Sequence, residues 1–230
     1  MLYSILKVLF TPVFRVAFRI RIEGAERVPR RGPVILAANH QSFSDSLFLP
    51  FSVKRRLTFL AKAEYFDDWR TSWFYRGMGQ IPIRRGAGTE GLRALGTAEI
   101  ALARGDAIAL YPEGTRSDDG FVHRGQKGAA RLALMTGALV IPVGLSGTAR
   151  VQPVGSRWLR PFTRVEIHFG EPRRLLQGDV ERAGSERTAL RDFTDQLMAE
   201  LASLSGLSYV DTLAGRGAAG SSQSRNQPET

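Results

Sequence analysis

The run Val34-Ile35-Leu36-Ala37, closed by Asn39-His40-Gln41-Ser42-Phe43-Ser44-Asp45, decides how the rest of the chain is read. Four successive apolar residues without polar alternation describe a strand buried on both faces, as happens when helices cover a sheet on both sides. The strand ends at Asn39-His40, and Ser44 to Phe51 has the character of a short helix with Ser42 or Ser44 available as N-cap. Ligand sites in open α/β sheets lie beyond the carboxyl ends of strands, which puts His40 at the usual crevice. Asp45 can then fold back toward it. A carboxylate on one ring nitrogen fixes the tautomer and leaves the other nitrogen to take a proton from a hydroxyl. The same His-x4-Asp spacing also describes a capped helix start with no chemistry.

Working outward, β-rich apolar runs alternate with helical periodicity. Leu57 to Leu60 reads as a strand, Glu64 to Tyr75 as an aromatic-faced helix, and Ile81-Pro82-Ile83 as an edge strand because Pro removes a ladder donor. Thr89 to Arg104 has Leu92, Leu95, Ala98 and Leu102 at helical spacing, and Ala107 to Tyr111 follows as a buried strand. A helix over 126–136 stops at Gly137, strands cover Leu139 to Val143 and Val165 to Phe169, and a final helix spans about 184–204. The alternation predicts one α/β domain over 21–213, with a central mixed, largely parallel sheet flanked by helices. The Gly, Ser, Gln and Asn content of 214–230 predicts a disordered tail.

Residues 1–20 are mostly apolar but carry Lys7, Thr11, Arg15 and Arg19 at steps of four, one slanting stripe on a helix. Central Lys and Arg residues argue against a spanning helix, each costing about 2.5–3.5 kcal/mol on insertion scales. The segment reads instead as an amphipathic membrane-interface helix; a helix packed on the domain body, bent at Pro12, fits the same pattern. Lys and Arg number 32 against 22 Asp and Glu, a net +10, so anionic partners are expected. Base-stacking aromatics on a basic strand are not apparent, since Trp and Phe fall at helical spacing, and nucleic acid is not expected. The chain contains no Cys, which excludes an acyl-cysteine intermediate and a disulfide framework. With no cleavable signal apparent, the expected location is the cytoplasmic face of a membrane, peripheral or monotopic.

Further motifs follow other strands. Tyr111-Pro112-Glu113-Gly114-Thr115-Arg116-Ser117 offers a glycine for close backbone approach, two hydroxyls, and the planar Arg116 fork suited to phosphate or carboxylate; Glu113 can orient that fork. Read alone, it is also an ordinary polar strand-to-helix turn. Gly79 through Arg85 ends in the cations Arg84 and Arg85, and Lys62 follows another strand. Gly144-Leu145-Ser146-Gly147 lacks the residue a nucleophile elbow needs between Ser and the second Gly. Gly120 through Lys127 departs from a phosphate loop at Gln126 and Gly128, and His123 and His168 have no partners at metal-ligand spacing.

Taken together, Asn39-His40 through Asp45, Gly79 through Arg85, Glu113-Gly114-Thr115-Arg116-Ser117 and Val140-Ile141-Pro142-Val143 resemble, in order, the four blocks of the glycerolipid acyltransferase family that includes lysophosphatidic acid acyltransferase. The resemblance implies transfer of an acyl chain from acyl-CoA or acyl carrier protein onto 1-acyl-glycerol-3-phosphate or another lysolipid, without metal, cofactor or covalent intermediate. It implies His40 as base and Asp45 as its partner. Lys62, Arg84, Arg85, Glu113, Gly114, Thr115 and Arg116 would line the acceptor site. Arg84 stands where many members carry Asp, which makes that pocket more positive. A non-catalytic lipid-binding protein would keep the basic pocket and tolerate loss of His40.

Overall fold

The computed structural model describes residues 2–69, 72–73, 76, 80–83, 89–153, 155–156 and 158–214. In chain order the elements are α1 (Leu2–Ala17), β1 (Arg21–Glu23), β2 (Val34–Ala38), α2 (Asp45–Ser52), β3 (Leu57–Lys62), α3 (Glu64–Asp67), β4 (Ile81–Ile83), α4 (Thr89–Ala103), β5 (Ala107–Leu110), β6 (Val122–His123), α5 (Gly128–Thr136), β7 (Leu139–Ser146), α6 (Thr148–Val151), β8 (Glu166–Phe169), α7 (Gln177–Ala183), α8 (Glu186–Ser205) and β9 (Tyr209–Val210).

The sheet order is β1-β8-β7-β2-β5-β3-β4. Five neighbouring strands, β7 through β4, run parallel; β8 turns antiparallel to β7, and β1 follows β8. The mixed, largely parallel α/β sheet is therefore the architecture of the protein. β2 is buried along its whole length because its side chains alternate between two covered faces. Val34, Leu36 and Ala38 pack with Phe48, Leu49, Phe18 and Phe169; Ile35 and Ala37 pack with Leu102, Leu132, Leu190, Leu197 and Leu201. Burying each such Val, Ile or Leu contributes about 1.5–3 kcal/mol.

Register carries the functional consequence. Ala37 pairs with Leu110, so β2 and β5 end side by side, while β7 passes Ala38 at Val143 and runs on to Ser146. Lys62, the last residue of β3, pairs with Ile83 at the end of β4. The motif-bearing segments thus leave one edge of the sheet. β4, with Pro82, occupies the rim of the sheet, where a missing donor is tolerated.

Some elements differ from the sequence reading. The helix expected over 64–75 is interrupted by a bend at Asp68, where α3 has ended at Asp67. Beyond the bend Trp69, Ser72, Trp73 and Arg76 are helical, with Ser72 N–H donating to the Asp68 carbonyl (2.8 Å), and the rest of the segment lies outside the described residues. The final helix starts at Glu186, after α7 has ended at left-handed Gly184 (φ 74°) and the Ser185 hydroxyl has accepted the Thr188 N–H. The strands β1, β6 and β9 were too short to register as patterns. Residues 215–230, most of the expected tail, lie outside the described residues.

α1 is neither a free arm nor wholly packed. Phe14 and Phe18 meet Phe48 at ring-centroid distances of 5.8 and 5.2 Å, while Val8, Leu9, Val13 and Val16 are exposed. Lys7, in the polar stripe, donates to the Arg55 carbonyl (3.0 Å), and burial lowers its ammonium from 10.5 to about 8. No helix among the described residues is long and apolar enough to cross a membrane.

Candidate active site

β2 delivers His40 to the edge of the sheet, and α2 begins five residues later with Asp45 in its first turn. The ring and the carboxylate meet as expected: His40 Nδ1 lies 2.9 Å from Asp45 Oδ2. Asp45 has no exposed surface and His40 only 9%. The same Oδ2 accepts the backbone N–H groups of Gln41 (2.8 Å) and Ser42 (2.9 Å). These donors precede the helix, so the carboxylate does not cap its own helix; it organises the turn that carries His40. Ser44 occupies the N-cap position without a capping bond, its hydroxyl donating instead to Ser42 Oγ (3.0 Å).

The tautomer follows from these partners. An oxygen already accepting two backbone N–H groups is an acceptor toward the ring, so Nδ1 carries the hydrogen and Nε2 keeps its lone pair. Nε2 has no hydrogen-bond partner among the described residues. One face of the imidazole lies on the Tyr111 ring, with centroids 3.8 Å apart and planes 8° from parallel. The Tyr111 hydroxyl is 2.9 Å from Ser46 Oγ, and desolvation and the Asp45 charge hold its phenol well above 10. The ring is thus fixed by a hydrogen bond at one edge and a stack on one face.

The 113–117 segment is bound to the histidine by both of its ends. His40 N–H donates to Glu113 Oε1 (2.8 Å), and Ser117 N–H donates to the His40 carbonyl (2.8 Å). Glu113 Oε2 accepts the His123 N–H (3.0 Å). Glu113 is only 2% exposed and makes no ion pair with Arg116 among the described residues, so it braces two strand ends and does not orient the Arg116 fork. Burial raises its carboxyl from 4.5 to about 7, against the two backbone N–H bonds that favour the anion. Gly114 (φ 77°), Thr115 and Arg116 form the exposed tip between the two tethers. Gly114 takes a conformation that side chains rarely adopt.

Lys62 stands at the end of β3 on the same edge of the sheet, whereas Arg84 and Arg85 lie outside the described residues. Asn39 holds the edge together, its side chain donating to the Leu145 carbonyl (2.9 Å) and accepting the Leu145 N–H (2.7 Å). Asn39 and Tyr111 stand in the motifs quoted from the sequence, but no role for either is legible there, since the Asn39 bonds to Leu145 and the Tyr111 stack on His40 depend on strand pairing. The other histidines have structural partners. His123 lies 2.9 Å from Asp119 Oδ1 and 3.2 Å from the Thr212 carbonyl, and His168 lies 3.0 Å from that of Leu204.

A positioned imidazole base beside a glycine turn with an exposed arginine is equipped to deprotonate a hydroxyl on an anionic molecule. A family model named Acyltransferase matches residues 19–146. The chloroplastic 1-acyl-sn-glycerol-3-phosphate acyltransferase of Arabidopsis thaliana is 31% identical over 164 residues, 71% of this chain and 46% of its own length. A lyso-ornithine lipid O-acyltransferase of Brucella abortus is 31% identical over 179 residues, 76% of this chain and 62% of its own. The crystal structure of the 1-acyl-sn-glycerophosphate acyltransferase of Thermotoga maritima matches with a TM-score of 0.62 at 29% identity, covering 86% of this chain and 76% of that one. The chain spans about half the length of the first curated relatives it matches. With the dyad and the glycine turn both inside the matched region, the chain belongs to the acyltransferase family that its four sequence blocks resemble.

Proposed function

We propose that the protein moves an acyl chain from acyl-CoA or acyl carrier protein onto the free hydroxyl of 1-acyl-glycerol-3-phosphate, giving phosphatidic acid, at the cytoplasmic face of a membrane. The observation that carries the reading is a histidine whose Nδ1 is held by a buried carboxylate while its Nε2 has no hydrogen-bond partner among the described residues. Nε2 takes the hydroxyl proton as the oxygen attacks the thioester carbonyl carbon. The tetrahedral intermediate then expels the thiolate, breaking the C–S bond, and the imidazolium returns its proton to sulfur. Asp45 stabilises that imidazolium, and no bond to the enzyme forms. General-base catalysis supplies about 10²–10⁴-fold, so positioning of two substrates supplies much of the rest.

Arg116, at the exposed tip tethered to His40, is the described cation best placed to receive the acceptor phosphate; Lys62, Arg84 and Arg85 would add to it from the ends of β3 and β4. The exposed apolar residues of α1 suit a bilayer that presents the lysolipid. A second reading, another lysolipid as acceptor, draws on the Brucella abortus relative, named for a lyso-ornithine lipid. The test is an acceptor panel with the purified chain and one labelled acyl-CoA, run beside His40→Ala. Phosphatidic acid formed by wild type and lost in the variant is the expected result. Full transfer by His40→Ala would overturn the mechanism, and transfer only to a phosphate-free lysolipid would overturn the acceptor.

A further inference from the structure

We propose that the loop over residues 155–164 is a second lipid-inserting element, seated beside α1 on an anionic bilayer. The proposal deepens the membrane reading above and rests on it. Trp158 and Phe162 are 83% and 69% exposed, while Leu159 between them packs against the core and anchors the loop. Phe162 has a φ of 63°, a region that bulky residues rarely occupy. Its N–H donates to the Ala17 carbonyl (2.5 Å), so a strained backbone is held against the last turn of α1 with the aromatic ring left outside. Val165 N–H to the Phe18 carbonyl (3.3 Å) and Arg21 N–H to the Val165 carbonyl (2.9 Å) extend the attachment. Next to it on α1 are the exposed Val13 and Val16.

Charge names the partner. Residues 147–165 contain Arg150, Arg157, Arg160 and Arg164 and no Asp or Glu. Arg160, with Arg15 and Arg19 on and after α1, makes no ion pair among the described residues. Each cation near an anionic lipid surface strengthens binding about fivefold, and Trp settles at the boundary between headgroup and chain. A single exposed aromatic residue needs no explanation, but two on one basic loop beside an exposed apolar helix side form a patch.

The other end of the loop segment reaches the proposed catalytic turn. The Gln152 carbonyl accepts from Ser42 Oγ (2.8 Å), Gln152 Nε2 donates to the Ser156 carbonyl (3.1 Å), and Ser156 Oγ donates to the Trp158 carbonyl (3.0 Å). Ser42 is itself bonded to Asp45. The loop that carries Trp158 is thus joined to the His40 turn through one series of hydrogen bonds.

The test uses the full chain with Trp158 as the sole Trp (Trp69→Phe, Trp73→Phe) and vesicles of phosphatidylglycerol or of phosphatidylcholine alone, each carrying brominated acyl chains. Expected is a blue shift and quenching of Trp158 emission on the phosphatidylglycerol vesicles. In an otherwise wild-type chain, Trp158→Ala with Phe162→Gly should lower vesicle partitioning about tenfold or more, while the thermal transition holds because Gly tolerates this φ. Protein that sediments with vesicles while Trp158 keeps its aqueous emission, or that does not sediment at all, overturns the proposal. Transfer to a short-chain lysophosphatidate dispersed without bilayer reads the enzymatic proposal separately. Quenched Trp158 without such transfer would keep the lipid surface and remove the enzyme.

Discussion

Replacing Asp45 by Asn separates two tasks that the carboxylate performs, orienting His40 and stabilising its charged form. Oδ2 accepts three N–H groups, from Gln41, Ser42 and the imidazole, whereas Oδ1 is buried and has no partner among the described residues. An Asn side chain has two choices. With its carbonyl at the Oδ2 position all three bonds survive and the NH2 falls where Oδ1 was, leaving one buried donor group unsatisfied. With its NH2 there, two backbone N–H groups face donors, at about 1–3 kcal/mol each. The first choice wins, so the Nδ1–H tautomer persists and only the charge is lost. A charge-assisted bond exceeds a neutral one by about 1–1.5 kcal/mol, and the Coulomb attraction at 4 Å with an effective dielectric of 20 is about 4 kcal/mol. The corresponding fall in kcat is about 10- to 10³-fold with KM little changed. Steady-state transfer from labelled acyl-CoA measures the rate, and 15N shifts of the ring nitrogens report the tautomer. A loss beyond 10⁴ with the hydrogen on Nε2 would refute the pinning by backbone donors. Unchanged kcat would refute the dyad itself.

Glu113 makes stability depend on pH. Its folded value of about 7 lies above the ordinary 4.5, so the native state binds the extra proton between them; the associated stability is complete below about 4.5 and lost as pH rises through about 7. At about 1.4 kcal/mol per pH unit the loss is at most about 3.5 kcal/mol. Glu113→Gln should remove that share of the slope when chemical denaturation at pH 5 and pH 8 is compared with wild type, and an identical slope would contradict the assignment. Arg116→Ala should raise KM for the phosphate acceptor about 10- to 100-fold with KM for the donor unchanged, the reverse pattern placing Arg116 at the donor subsite. Gly144→Ala would drive a Cβ into the backbone of Leu204 and Ser205 in α8. A clash of that kind costs about 1–3 kcal/mol and should lower Tm by several degrees; an unchanged Tm would contradict the packing of α8 on β7.

Local pattern made much of this molecule legible. The unbroken apolar run at Val34 revealed a strand covered on both sides, and Asn39-His40 marked where it ends. Pairing between distant segments was not legible. That Glu113 braces the histidine turn depends on Ala37 lying opposite Leu110, a register fixed by two strands 73 residues apart in sequence, and a carboxylate three residues before an arginine gave no hint of it. The Tyr111 stack depends on the same register. The amphipathic start shows the limit in another form. Periodicity placed Lys7, Thr11, Arg15 and Arg19 on one stripe but could not say toward what the stripe turns, because that depends on the surface α1 meets. Lys7 turns inward to the Arg55 carbonyl, Phe14 and Phe18 reach the core, and Val8, Leu9, Val13 and Val16 are left outside. A helix fixed to the body by Lys7, Phe14 and the Phe18 that follows it presents its remaining apolar side as part of a rigid surface. The bilayer contact proposed for α1 and the 155–164 loop therefore requires no ordering of a free arm, and little of its apolar burial is lost to conformational entropy.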